Sequence, residues 1–226
     1  MLGSLSKSSN NPLKGIQDSS LVFLDFDGVL VQSNQIKDNA FELLFREISG
    51  DRFDEVWRYH LASDAVPRQQ KIRHIVEEIL CLPGSIQIIQ DLVNRFSHLT
   101  FEAVCSCDFI PGADEFLKEW GRHKALVLVS ATPYEVLSEV LRVRGLTRFF
   151  EKVYGAPNKK HEVMTAECSA HSISPSEAWF IGDSYSDWQA AKKAEVRFLG
   201  MAGRYAFPPD EVYVLPNFRP LLRNEK

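Results

Sequence analysis

The chain has 226 residues, a formal net charge of −4 and 45% hydrophobic side chains. That length can bury one sizeable core, or a core with an insertion, and the mildly acidic balance argues against a basic nucleic-acid-binding surface. No apolar run approaches the ~20 residues that span a bilayer.

The first eighteen residues lack the apolar core of a secretory signal and read as a flexible polar tail. Four cysteines, Cys81, Cys105, Cys107 and Cys168, do not have the spacing of a four-ligand zinc site. They read as structural thiols in a reducing, cytoplasmic setting.

Leu21-Val22-Phe23-Leu24 is an apolar run without alternation, as expected of a strand buried on both faces of a parallel sheet. It stops at Asp25, and Phe26, Asp27 and Gly28 follow. Helical patterning then takes over. Ser33 and Asn34 offer cap chemistry for a helix over about 35–48, and further helices are predicted over 53–61, 68–80 and 85–98. Residues 31–107 contain no convincing buried strand.

Alternation returns with a helix over 113–120 and a short strand, Ala125 to Val129, ended by Ser130. A helix follows Pro133 and closes at Gly145. A weaker strand ends at Gly155, a helix covers 159–169, and Ala178 to Ile181 forms another strand, ended by Gly182-Asp183. A helix over 187–194 and a strand over 196–200 complete the pattern. Strands alternating with helices predict right-handed βαβ units and a doubly wound parallel sheet, an α/β fold. The predicted organisation is a tail over 1–18, a discontinuous α/β core over 19–30 and 108–226, and an all-helical insertion over 31–107.

In a parallel sheet the carboxyl ends of all strands lie along one edge, where such sheets place their ligands. Polar groups stand at four predicted strand ends: Asp25 with Asp27, Ser130, Lys159 or Lys160 after the Gly155 turn, and Asp183 with Asp187. Taken singly, Ser130, Asp183 and Asp187 are good helix caps, and Asp27-Gly28 is a plausible turn. Together they assemble carboxylates, a hydroxyl and an ammonium. The acids suit Mg²⁺ better than zinc, and the lysine and hydroxyl suit phosphate oxygens.

Four segments, DFDGVL, VLVSATP, GAPNKK and FIGDSYSD, resemble in order and spacing the four motifs of the haloacid dehalogenase superfamily. The relevant members are of the phosphoglycolate phosphatase and β-phosphoglucomutase type, with a helical cap between the first and second motifs. The resemblance implies that Asp25 is a nucleophile forming an aspartyl-phosphate, and that Asp27 protonates the leaving oxygen and later deprotonates water. It implies that Ser130 and the backbone of Ala131 bind the phosphoryl group, while the lysine neutralises charge. Lys160 fits the spacing better than Lys159. Asp25, the Asp27 carbonyl and Asp183 would hold Mg²⁺, and Asp187 would support the lysine.

The stretch from His60 to Lys71 is similar to a cap loop of that superfamily, which nominates Arg68 and Lys71 as substrate contacts. The expected activity is Mg²⁺-dependent hydrolysis of a small phosphorylated metabolite, a sugar or acidic sugar phosphate. A phosphomutase or a catalytically silent binding module are the alternatives. No nucleic acid or membrane partner is expected, and the chain is expected to be a monomer or weak dimer. The segment from Arg204 to Lys226, rich in proline, is assigned no chemistry.

Overall fold

The computed structural model describes residues 11–63, 66–83 and 85–223. Six parallel strands form one sheet: β1 (Leu21–Leu24), β2 (Ala125–Pro133), β3 (Lys152–Ala156), β4 (Trp179–Gly182), β5 (Arg197–Met201) and β6 (Tyr213–Leu215). Their spatial order is β3-β2-β1-β4-β5-β6. The chain therefore lays down one half of the sheet, returns, and builds the other half from β4 outward. β1 and β4 flank the point where the order reverses, and there the carboxyl ends leave a crevice.

All four residues of β1 are buried, because helices cover both faces of the sheet. Val22, Leu24, Leu126, Leu128 and Ile181 face α1 (Pro12–Asp18), α6 (Ala113–Trp120) and α7 (Tyr134–Val143). Leu21, Phe23, Val127, Val129 and Phe180 face α8 (Lys160–Ala170) and α9 (Tyr185–Ala194). Each phenylalanine taken out of water here contributes about 1.5–3 kcal/mol.

Between β1 and α6 the chain forms α2 (Asn34–Ser49), α3 (Phe53–Ala62), α4 (Arg68–His74), which runs into a π-helical turn over Ile75–Ile79, and α5 (Ser85–Ser106). These helices bury a core of their own, with Phe41, Phe45, Val56, Ile75 and Phe96 at its centre. The two chain segments that link the helices to the sheet pair with each other. Val31 bridges Phe109 in antiparallel fashion, Gln32 N–H donates to Asp108 O at 2.9 Å, and Ile110 N–H donates to Leu30 O at 2.9 Å. Arg144 closes the end of α5: its Nη1 donates to the carbonyls of Val104, Cys105 and Cys107 at 2.8–3.1 Å. These are carbonyls at and just past the helix end, which the helix's own ladder leaves open.

Two expectations change. The polar tail does not extend to Asp18, because Pro12–Asp18 is helical and seats Ile16 at 0% exposure in the core. Asn11 caps that helix, accepting from Leu13 N–H at 3.1 Å, and Pro12 suits its first turn. Residues 1–10 lie outside the described residues. The C-terminal segment also supplies an ordered sixth strand, and Phe218 and Leu221 are fully buried against the sheet. All four cysteines are free, and burial pushes the Cys168 thiol up to about 11.

Candidate active site

The carboxyl ends of β1, β2 and β4 meet at a cavity of about 170 Å³. The helical insertion closes it from the other side. Asp25 follows β1 directly and is 7% exposed. Its Oδ1 accepts from Phe26 N–H at 2.8 Å, and its Oδ2 lies 3.0 Å from Lys160 Nζ. The same ammonium donates to Asp187 Oδ1 at 2.6 Å.

The loop after β3 brings Lys160 to this position. Lys159 instead points outward, 68% exposed, and pairs with Glu162 at 3.0 Å. Asp187 serves two purposes. Its Oδ2 accepts from Ser184 N–H at 3.2 Å, completing a capping box at the start of α9, while Oδ1 holds the lysine. The capping and site readings of this residue are thus compatible. For Ser130 they are not, since the cap residue of α7 is Pro133 and the helix has no side-chain cap. Ser130 Oγ accepts from Thr132 N–H at 3.1 Å, and Ser130 and Ala131 line the cavity beside Asp25.

Asp25, Asp183 and Asp187 each offer an oxygen, all within 4.8 Å of one another. Burial, followed by the repulsion of neighbouring acids, raises Asp183 to about 8. Asp25 rises to about 7, mainly by burial, although Lys160 opposes the shift. One ammonium shared between Asp25 and Asp187 leaves Asp183 without a cationic partner among the described residues. An oxygen-only donor set with excess negative charge suits a hard divalent cation.

Gly28 is part of this arrangement. Its φ is +71°, and a Cβ there would fall 2.1 Å from Asp183 Oδ2 and 2.3 Å from Asn34 Nδ2. Gly28→Ala is expected to displace Asp183 and weaken cation uptake by at least tenfold in a protein that still folds. Calorimetric titration checks this, and unchanged uptake would contradict it.

The Asp27 side chain turns away from the acid cluster. It pairs with Lys37, accepts from Ser33 Oγ at 2.6 Å and from Thr132 Oγ1 at 2.9 Å. Burial alone would raise its pKa, but these three partners outweigh it and hold the carboxyl below its usual range.

Across the cavity stand Arg68 and Lys71. The Arg68 guanidinium lies 4.3 Å over the Phe96 ring and donates to Ser97 Oγ at 2.9 Å; burial lowers its pKa to about 10. Lys71 Nζ donates to His60 O at 3.3 Å. Several lining residues were missed in the sequence: Asn34, Lys37, Asp38, His60, Thr132 and Arg204. Arg204 pairs with Asp38, so the C-terminal segment does carry a site residue. Asp38 also holds His60 Nε2 at 3.0 Å.

A buried aspartate at the switch point of a doubly wound parallel sheet, faced by a lysine and two further acids and covered by a helical insertion, places the chain among Rossmann-like α/β proteins with their site at the carboxyl ends of the strands. The chain belongs to the haloacid dehalogenase-like hydrolase family, which it matches over residues 22–201; it is an enzyme of that family. It is 24% identical to the pyrophosphatase PpaX of Listeria monocytogenes, over 88% of this chain and 90% of the relative. Its fold is similar to CbbY of Rhodobacter sphaeroides, solved in complex with phosphate, at a TM-score of 0.68 and 17% identity, covering 88% and 95% of the two chains. YfnB of Bacillus subtilis, solved bound to magnesium, matches at a TM-score of 0.64 and 16% identity, covering 90% and 98%. No helix among the described residues is long and apolar enough to cross a membrane.

Proposed function

We propose that this hydrolase cleaves phosphoric monoesters of small metabolites, a sugar or acidic sugar phosphate among them, with Mg²⁺ and through a phosphorylated Asp25. The observation that carries the reading is the Lys160 ammonium bridging Asp25 and Asp187 at 3.0 and 2.6 Å, with Asp183 alongside and Ser130 facing them.

A phosphate dianion repels a carboxylate, so attack needs charge cancelled first. Asp25, Asp183 and the carbonyl of Asp27 would hold Mg²⁺, which when bound supplies positive charge against the phosphate oxygens and the buried acids. Lys160 steadies the ionised form of Asp25. Ser130 Oγ and the backbone N–H groups beside it donate to phosphate oxygens. An Asp25 oxygen then bonds to phosphorus as the bond to the leaving oxygen breaks, and Asp27 gives that oxygen a proton. In the second half, water attacks phosphorus, Asp27 takes its proton, and the Asp25–phosphorus bond breaks to release inorganic phosphate.

Lys37, with Ser33 and Thr132, holds the Asp27 carboxyl below its usual range, so service as a proton donor would call for that pair to open. Arg68 and Lys71 would meet the leaving group, and the helical insertion over 31–107 would act as the cap that selects it.

The test is phosphate release from a panel of phosphorylated metabolites, with inorganic pyrophosphate included because PpaX is named for it. Mg²⁺-dependent release that stops with excess chelator is expected. Release that is indifferent to chelator would overturn the cation assignment. Turnover only in the presence of a sugar bisphosphate would instead indicate a phosphomutase.

A further inference from the structure

The first turns of α2 present Asn34, Lys37 and Asp38 on one helical face, at spacings of three and four residues. Each reaches a different residue of the sheet domain: Asp183, Asp27 and Arg204 respectively. Of the three, only the Asn34 contact falls on a carboxylate proposed to hold the cation. Its Nδ2 donates to Asp183 Oδ2 at 2.7 Å. The ionised Asp183 that a cation would require can only accept, so it takes this bond from the amide nitrogen of Asn34.

We infer that Asn34 is a positioning residue for Asp183, its amide fixing one carboxylate oxygen so that the other is aimed at the cation held with Asp25. This rests on the cation site proposed above.

Three observations carry the inference. First, Asn34 is the one side-chain donor to Asp183 among the described residues, since Lys160 is committed to Asp25 and Asp187. Without Asn34, nothing described would fix the orientation of that carboxylate. Second, the bond passes over the bare Cα of Gly28, where a Cβ would lie within 2.3 Å of both partners. The sheet-side loop is thus shaped to admit a side chain from the insertion. Third, the start of α2 is given over to the site at the expense of its own capping. The hydroxyl of Ser33, the cap residue, makes no cap bond and donates to Asp27 instead. An unused cap forgoes about 1 kcal/mol. A helix start arranged only for stability would direct Ser33 to its own backbone.

A carboxylate partner in this position acts on a ligand as the outer hydrogen bonds of metal sites do, where removal typically weakens binding ~10–100-fold. It also means that the cation site is complete only when α2 is seated.

The experiment is calorimetric titration of Mg²⁺ into the parent protein and Asn34→Ala, with thermal melts of both in metal-free buffer and kcat measured across Mg²⁺ concentrations. The Mg²⁺ Kd is expected to rise roughly 10–100-fold, with kcat recovering to within a few-fold at saturating Mg²⁺ and the metal-free melt nearly unchanged. An unchanged Kd in folded Asn34→Ala would overturn the inference and leave the phosphatase reading standing. A loss of kcat that Mg²⁺ does not recover would also overturn it. A parent protein that takes up no Mg²⁺ would overturn the cation site itself. Should Ala at 34 unfold the chain, Asn34→Ser supplies the same readout, since serine tolerates a helix start and is too short to reach Asp183.

Discussion

Asp25→Asn is expected to fold, to lose hydrolysis by on the order of 10⁴-fold or more, and to melt no lower than the parent in metal-free buffer at pH 8. The activity loss follows from removing the attacking oxygen. The stability result follows from the direction of the Asp25 shift. A carboxyl raised from 3.8 to about 7 still holds a proton in the folded chain at pH values where the unfolded chain has lost it. Stability is therefore full below about pH 4 and drains away as pH rises towards 7. A neutral amide at this position removes that drain, worth on the order of a few kcal/mol in the parent at the upper end. Melts at pH 5 and pH 8 give the comparison. The parent should lose more between the two than the variant does. A variant that melts well below the parent at pH 8, or that retains activity, would contradict the assignment of Asp25.

Lys160→Ala should have the opposite character. It leaves Asp25 and Asp187 buried and facing each other without their shared cation, and removing one partner from a buried pair costs about 3–5 kcal/mol. Urea unfolding should show that loss as a lower midpoint at unchanged slope, and activity should fall with it. Lys159→Ala is the control. Its exposed pair with Glu162 is worth less than ~1 kcal/mol, and the variant should hydrolyse substrate at close to the parent rate. Equal effects at the two positions would mean that the second lysine is not the one serving the acids.

The sheet-edge acids Asp25 and Asp183 were legible because each stands at the end of an apolar run. Asp25 follows LVFL and Asp183 follows WFIG, and a charge at such a point has to be used by something. Lys160 could be preferred to its neighbour only by spacing from Gly155; burial and pairing then set the two lysines apart.

Beyond Arg68 and Lys71, which the resemblance nominated, the other wall was not legible, for the converse reason. Asn34, Lys37 and Asp38 lie on the polar side of an amphipathic helix, and polar residues there look the same whether they face water or another domain. Only the fold shows that this side turns inward. His60 sits among aromatic residues and gave no sign of its bond to Asp38. Arg204 lies beyond the last predicted strand in a stretch rich in Pro, Gly and Tyr, and nothing local marks it out. Helix α1 was missed because Leu13 and Ile16 are too few to form a periodic stripe, although Asn11-Pro12 is a helix-start signal in itself.

The antiparallel ribbon formed by Val31 and Phe109 has an architectural consequence. The chain departs from the sheet and rejoins it side by side, so the insertion is joined covalently to the sheet through a single two-segment stalk. An insertion joined in this way can lengthen or shrink beyond α2 without a change in the sheet, because the first turns of α2 carry the contacts to Asp27 and Asp183. Under the proposed function, selectivity for one compound over another would then vary beyond α2, while Asn34, Lys37 and the sheet-side acids stay as they are.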